Sequence, residues 1–265
     1  MKQRLDMLLV ERGLAVSREQ AQKYIRAGWV RSIDKVLDKP GMAIATDAVL
    51  SVQQQAPYVS RGGEKLAGAL AVLGITVADR VCLDAGISTG GFTDCLLQGG
   101  ARQVWGIDVG YGQVAWPVRS DPRVILKERT NLRYLRPEDL YQPTDVRPNL
   151  AVADLSFISL TKILPALWDL VVPPKETLLL VKPQFECGRD RVGKNGIVRD
   201  PQARAEAIAQ VSTAAQALGW RHRGHTRSPL PGRTGNWEYW LWLADDGDEA
   251  PPPTTWQALA ADPVP

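Results

Sequence analysis

A chain of 265 residues, 45% of them hydrophobic, can hold one full α/β domain with a small appendage and can bury a sizeable core, which excludes an intrinsically disordered polypeptide. The net charge of +3 hides a division: five acids (Asp245, Asp246, Asp248, Glu249, Asp262) and no Lys or Arg fall in 244–265, so 32 basic residues face 24 acids elsewhere, and a body of +8 suits a polyanionic partner such as RNA. MKQRLDMLLVERGL breaks its apolar residues with charges, unlike a signal peptide, and no apolar run approaches the roughly 18 residues of a membrane span, so the expectation is a cytoplasmic protein without a membrane partner.

In chain order, 1–57 reads as a separate module with its linker. Leu5, Leu8, Leu9 and Arg12 are spaced for an amphipathic helix that Gly13 can end in a left-handed cap. Ser17 with Gln20 forms a capping-box signature for a second helix over 18–27, ended by Gly28. Short strands are expected over 29–31, 35–37 and 49–52, punctuated by Ser32, Asp34, Pro40 and Gly41, and QQQAP at 53–57 reads as a linker. Arg4, Arg18, Lys23, Arg26 and Arg31 give the helix pair and its exit a cationic surface. RLDMLLVERGLAVSREQAQKYIRAGWV resembles the small αL RNA-binding module of a ribosomal small-subunit protein, some pseudouridine synthases and tyrosyl-tRNA synthetases, a resemblance that implies binding of structured RNA.

From Leu66 onward strands and helices alternate, the pattern of a parallel sheet covered on both faces. Strands are expected over 81–85, 103–109, 124–128, 150–155, 177–182, 221–226 and 237–243, with helices over 92–98, 116–120, 160–170 and 202–218. Seven strands with an antiparallel final one match the methyltransferase variant of the doubly wound fold, over a domain of 58–244. Residues 185–201, with Gly and basic residues, read as a mobile loop, and 245–265 as an acidic, Pro-rich, frayed tail. The cysteines Cys82, Cys95 and Cys187 have no metal-ligand spacing and read as buried reduced thiols; no metal is expected.

CLDAGISTGGFTDCLL is a buried strand running into a Gly-rich turn and a helix, as in nucleotide-binding α/β folds. A dinucleotide fingerprint would place glycines at 86, 88 and 91, but Ser88 interrupts it and Asp84 precedes it. S-adenosylmethionine has no pyrophosphate, and its amino group can use an acid such as Asp84, so the turn favours that cofactor over a nicotinamide. The expected cofactor set is Asp84, Gly86, Ser88, Thr89, Gly90, Gly91 and Phe92 around the turn, Asp108 for ribose hydroxyls at the second strand end, Glu128 and Asn131 after the third strand, near adenine, and Asp154 after the fourth.

Four charged residues stand out: Lys65 before a helical pattern, and Asp154, Lys182 and Glu238 on runs that read as strands, where charge is costly unless paired or put to chemical use. VSRGGEKL, LDAGISTGGFT, VADLSFISL, LVKPQFE and SPLPGRTGNWEYWLWL look like the TlyA family, an αL module joined to an FtsJ-like methyltransferase domain, and the resemblance covers almost the whole chain. It implies 2′-O-methylation of cytidine in ribosomal RNA, with S-adenosylmethionine as donor, ribosomal RNA or ribosomal subunits as partners, and a catalytic tetrad of Lys65, Asp154, Lys182 and Glu238.

That tetrad also makes chemical sense. A ribose 2′-hydroxyl is a poor acid, so its attack needs a neutral base, whereas an isolated lysine is protonated near pH 7. Desolvation and a neighbouring cation both favour the neutral amine, which assigns Lys182 as base and Lys65 as its cationic neighbour, with Asp154 and Glu238 holding the two amines. The plainer alternative is two structural salt bridges at strand ends. A haemolysin-like membrane-active protein and a non-catalytic assembly factor are the competing functions.

Weaker candidates complete the reading. His222 and His225 lack a third metal ligand and read as solvated edge residues. Phe92, Tyr111 and Trp116 follow strand ends, with packing the expected use of each. Arg61, Arg189, Arg191 and Lys194 suggest a basic path toward the tetrad, and Arg233 in the loop 228–236 an RNA contact. Nothing in the sequence reports an oligomeric state.

Overall fold

The computed structural model describes residues 2–33, 35–52 and 56–261, so 53–55 of the expected linker lie outside the described residues. The chain divides into two compact units, Met1–Pro57 and Tyr58–Pro265.

The first unit contains β1 (Lys2–Arg4), α1 (Leu5–Glu11), α2 (Arg18–Arg26), β2 (Val30–Ser32), β3 (Lys35–Val36), β4 (Ala43–Ala45) and β5 (Ser51–Val52). β1 pairs with β4, and β2 lies between β3 and β5, all antiparallel. Both helices form where their apolar spacing falls. Ser17 Oγ accepts the Gln20 N–H, but the Gln20 side chain accepts from Val16 N–H one residue before the cap, so the capping box is shifted by one partner. Gly13 and Gly28 follow the two helices with φ of +68° and +72°, the left-handed region that favours glycine. Leu5, Leu9, Ala21, Ile25 and Val30, none of them exposed, form the core between the helices and strands. β1 and β4, at three residues each, are too short to carry a periodic signal, and the sequence reading missed both.

The second unit runs α3 (Arg61–Leu73), β6 (Val81–Ala85), α4 (Gly91–Gln98), β7 (Gln103–Ile107), α5 (Trp116–Arg119), β8 (Val124–Lys127), α6 (Pro137–Leu140), β9 (Leu150–Ala153), α7 (Leu164–Leu170), β10 (Glu176–Val181), α8 (Pro183–Glu186), α9 (Pro201–Gln216), β11 (Arg221–Arg227), β12 (Tyr239–Ala244) and α10 (Pro253–Ala260). Seven strands form one sheet in the order β11-β12-β10-β9-β6-β7-β8; β12 runs antiparallel to both neighbours and the other neighbouring pairs are parallel. Side chains alternate between the two faces. Leu83, Ala151, Leu179 and Leu241 pack toward α7, α9 and α10, whereas Cys82, Val152, Leu180 and Trp240 pack toward α3 and α4. Strand order reverses between β6 and β9, so the carboxyl ends of these strands open a crevice of the kind that binds ligands in doubly wound sheets.

Three expectations need correction. Lys65 lies inside α3 rather than before it, because Tyr58 folds over Gly63, where a Cβ would stand 2.2 Å from the ring, and the helix can therefore start at Arg61 through two glycines. Residues 185–201 are not a free loop: the segment holds the end of α8 and two short 3-10 turns, and Asn236 clamps it, accepting from Val198 N–H and donating to the Gly196 carbonyl. The acidic segment is not a frayed tail either. Asp248 bridges to His222, α10 packs along α9, and Trp256, 2% exposed, inserts into the core, an apolar anchor that the surrounding Pro and acid residues obscure in the sequence.

Candidate active site

The Gly-rich turn leaves β6 at the reversal point. Gly86 (φ +91°) closes it against Asp154, whose carbonyl oxygen would lie 3.1 Å from a Cβ at that position, and Gly90 (φ +94°) precedes α4. Gly91 is there for space, since a Cβ would meet Ser60 Oγ at 2.1 Å. Ser88 takes φ +50° between them, and its N–H donates to Asp108 Oδ2 at 2.7 Å while Gly110 N–H donates to Asp108 Oδ1 at 2.7 Å. The carboxylate at the end of β7 thus fixes the turn from below and keeps lone pairs facing the crevice.

A cavity of about 420 Å³ opens here, lined by Gly86, Ser88, Asp108, Asn131, Asp154 and Lys182 among others. A second, of about 310 Å³, is lined by Ser60, Arg61, Lys65, Thr89, Gly91, Phe92, Asp154 and Arg233 among others. Asp154 and the turn belong to both. Of the expected cofactor residues, Asp84, Gly90 and Glu128 line neither cavity, and the others line one or both. Asp84 is fully buried behind the turn, where one carboxylate oxygen accepts from the N–H and hydroxyl of Thr93 and the other has no hydrogen-bond partner; burial pushes its pKa up to about 7. Glu128 is taken by Arg119 at 2.5 Å and by Gly112 N–H, and does not line the cavity. Phe92 lines the second cavity while its ring packs at a tilt against that of Trp240 in the core, 5.4 Å between centroids. Tyr111 and Trp116, expected to pack, are 65% and 75% exposed.

The four singled-out charges form two pairs, one between the ends of β9 and β10 and one between α3 and the start of β12. Lys182, the residue after β10, places Nζ 2.5 Å from Asp154 Oδ1 and 3.0 Å from Ser156 Oγ. Lys65 donates to Glu238 Oε2 at 2.6 Å. Both lysines and Glu238 are buried, and Asp154 is half-buried. Gly232 sits against this second pair: a Cβ there would stand 2.4 Å from Glu238 Oε1. The strand assignments of Asp154, Lys182 and Glu238 are each off by one step: regular pairing stops just before Asp154 and Lys182, at the ends of β9 and β10, and begins just after Glu238, at the start of β12.

The basic residues divide by what they touch. Arg4 and Arg18 both bind the fully buried Asp6 carboxylate, at 2.9 Å and 3.0 Å, whereas Lys23 and Arg26 are exposed on α2. Arg61 donates to the Pro231 carbonyl, and Arg233 is exposed at the second cavity. Arg191 is committed to Asp200 and Glu206, which removes it from a basic path, while Arg189 and Lys194 remain exposed. His222 and His225 are half-buried against Trp256 rather than solvated.

Sequence reasoning passed over Ser156 and Phe157, although VADLSFISL contains both. Phe157 is 92% exposed at the rim of the first cavity, held at φ +67° with its ring 5.3 Å from that of Phe185. The only signal in the sequence was the closeness of both residues to Asp154; the exposure of the ring and its strained backbone are visible only in the fold.

Residues 58–245 match the family of FtsJ-like methyltransferases, and residues 3–50 match the S4 domain. The chain is 50% identical over 249 residues, 93% of its length and 91% of the relative's, to the 16S/23S rRNA (cytidine-2′-O)-methyltransferase TlyA of Mycobacterium tuberculosis. It is 40% identical to hemolysin A of Brachyspira hyodysenteriae, over 89% of this chain and 97% of that one. A solved structure named as a hemolysin, from Streptococcus thermophilus, superposes with a TM-score of 0.73 at 40% identity, covering 98% of this chain and 94% of that one. Among the described residues no helix is long and apolar enough to cross a membrane, and no group of three or more His, Cys, Asp or Glu side chains is placed to hold a metal ion.

Proposed function

The chain belongs to the FtsJ-like methyltransferase family, in the group that includes the TlyA proteins, and from that membership we propose that it methylates the ribose 2′-hydroxyl of a cytidine in ribosomal RNA. The methyl donor is S-adenosylmethionine, which supplies an electrophilic carbon on a sulfonium when bound. The residues present fit that group: the glycine turn gives close backbone approach, and Asp108, which lines the first cavity, offers acceptor lone pairs to hydroxyls.

The observation that carries the reading is the pairing of both lysines with carboxylates on two cavities that share Asp154. Lys182 Nζ takes the proton from the sugar hydroxyl, and Asp154 and Ser156 hold that amine in place. Lys65, held by Glu238, orients the nucleotide from the second cavity. Phe157 offers an exposed ring on which the base of the target nucleotide stacks. Positioning supplies much of the acceleration, because displacement at carbon needs the oxygen about 3 Å from the methyl and in line with its bond to sulfur. The S4-like unit brings structured RNA through Lys23 and Arg26.

The test is incubation of each ribosomal subunit with labelled donor and the wild-type or Lys182→Ala protein, followed by mapping of the methylated nucleotide. The variant should stay folded, bind donor normally by calorimetry and lose roughly 10²- to 10⁴-fold in rate, the usual worth of a positioned base. Label on a base rather than a ribose, or full activity of the variant, refutes the assignment.

A further inference from the structure

Glu186, the last residue of VKPQFE, is 7% exposed, and its partners are a peptide N–H and a hydroxyl, neither of which carries a charge. Burying a carboxylate on neutral partners is costly, so a purely space-filling role would be met better by an uncharged side chain. What those partners belong to is informative. Oε1 accepts the Leu160 N–H at 2.8 Å and Oε2 accepts the Ser159 hydroxyl at 2.6 Å, the short distance of a charge-assisted bond. Ser159 caps the 3-10 turn Leu160–Lys162 that leads into α7.

Two loops therefore run side by side. One leaves β9 and carries Asp154, Ser156 and Phe157; the other leaves β10 and carries Lys182 and Phe185. Beyond the Asp154–Lys182 ion pair, they are tied in register by three contacts in succession: Ser156 to Lys182, Phe157 to Phe185, and Ser159 with Leu160 to Glu186. The first tie is at the exposed mouth, the second is a ring contact in strained backbone, and the third is buried. Pro183 starts the single helical turn of α8, which sets Lys182 and Glu186 four residues apart and projects the acid back toward the first loop.

We propose that Glu186 is a positioning residue for the methyl-transfer reaction: by clamping the turn after Asp154 to the turn after Lys182, it sets where the Lys182 amine stands relative to Asp154 and Ser156. This rests on the reading of Lys182 as base. A misplacement of about 1 Å in such a group can cost 10²-fold in rate, so the clamp matters although it touches no reactant.

The experiment compares Glu186→Ala, Glu186→Gln and Ser159→Ala with wild type in methyl transfer to ribosomal subunits, donor affinity and amide exchange at Leu160. Glu186→Ala should lose about 10²-fold in kcat with KM for donor little changed, and the Leu160 amide should exchange faster. Glu186→Gln keeps an acceptor for that amide and should recover most of the rate; Ser159→Ala, which removes the Oε2 tie and the cap on the turn but leaves the Leu160 N–H bond to Glu186, should fall between them and serves if Glu186→Ala does not fold. A folded Glu186→Ala protein with wild-type kcat overturns the proposal, as does a Gln variant no better than Ala or an unchanged Leu160 amide. Active Lys182→Ala would instead remove the base assignment, and the exchange measurement would still report whether the clamp exists.

Discussion

At the scale of single residues, Asp84 shows how a binding turn can oppose stability. Its carboxyl is fully buried and titrates near pH 7 instead of near 4, because burial disfavours the charged form more than the two Thr93 hydrogen bonds favour it. The fold therefore binds this proton more tightly than the unfolded chain does. Stability is undiminished below the unfolded value near 4, declines as pH rises, and reaches its full loss above about 7. An Asp84→Asn protein does not titrate there. The stability of the variant relative to wild type should increase by on the order of 4 kcal/mol between pH 4 and pH 8, read from urea unfolding at the two values. Parallel pH dependences of the two proteins would show that the carboxylate is better solvated than its surroundings suggest.

Among the elements, β11 departs from simple alternation at one point that decides how α10 docks. His222 and His225 are three apart and would face opposite sides of a regular strand. The bulge between His222 and Gly224 removes one step, so His222 opposes Leu243 and His225 opposes Leu241 on the same face of β12. Their rings lie 3.0 Å apart at Nε2 and Nδ1, and Trp256 of α10 packs edge-on to both. Arg227, at the end of β11, donates to the carbonyls of Leu259 and Ala261 and so caps the same helix. Burial lowers the pKa of both imidazoles, further for His222 through its neighbour His225 and against the pull of Asp248. Depressed histidines contribute their stability above the ordinary value near 6.5 and lose it as pH falls below. Thermal melts should therefore show Tm falling from pH 7.5 to pH 5, with His225→Phe, which keeps a ring against Trp256, showing a shallower fall; equal slopes would mean the pair does not carry the effect. Elements of this kind were not legible in the sequence. The apolar runs of β6, β9 and β10 were, because strands covered on both faces are apolar throughout, and so were the glycine turn and the four charges. The bulge, the clamp of Asn236 on 196–198 and the docking of α10 depend on partners 20 to 40 residues away, which local pattern does not encode.

For the whole molecule, the division of cationic residues into structural and free sets has a measurable consequence. Asp6 is fully buried, and hydrogen bonding from Arg4, with Gln22 and Arg18 adding to it, holds its carboxyl well below the usual carboxylate range. Stability of the first unit from this group is present above pH 4 and is lost only as pH falls far below it. Arg18 thus has work inside its own unit, and truncating it leaves a buried carboxylate with fewer donors. Lys23 and Arg26, on α2 and exposed, have no such duty among the contacts of the first unit. Phosphate contacts release counterions, so each lost contact reduces the slope of log K against log salt by about 0.7 to 0.9. A Lys23→Ala, Arg26→Ala double variant should accordingly bind ribosomal RNA more weakly at low salt, with a slope shallower by about 1.5, while Tm and donor affinity stay as in wild type. Arg18→Ala should lower Tm of the first unit as well as RNA affinity. Fluorescence anisotropy across a potassium chloride series separates the two, because a double variant with an unchanged slope would take these side chains out of the RNA interface, whereas loss of affinity at constant slope would point to a distorted unit rather than missing charge.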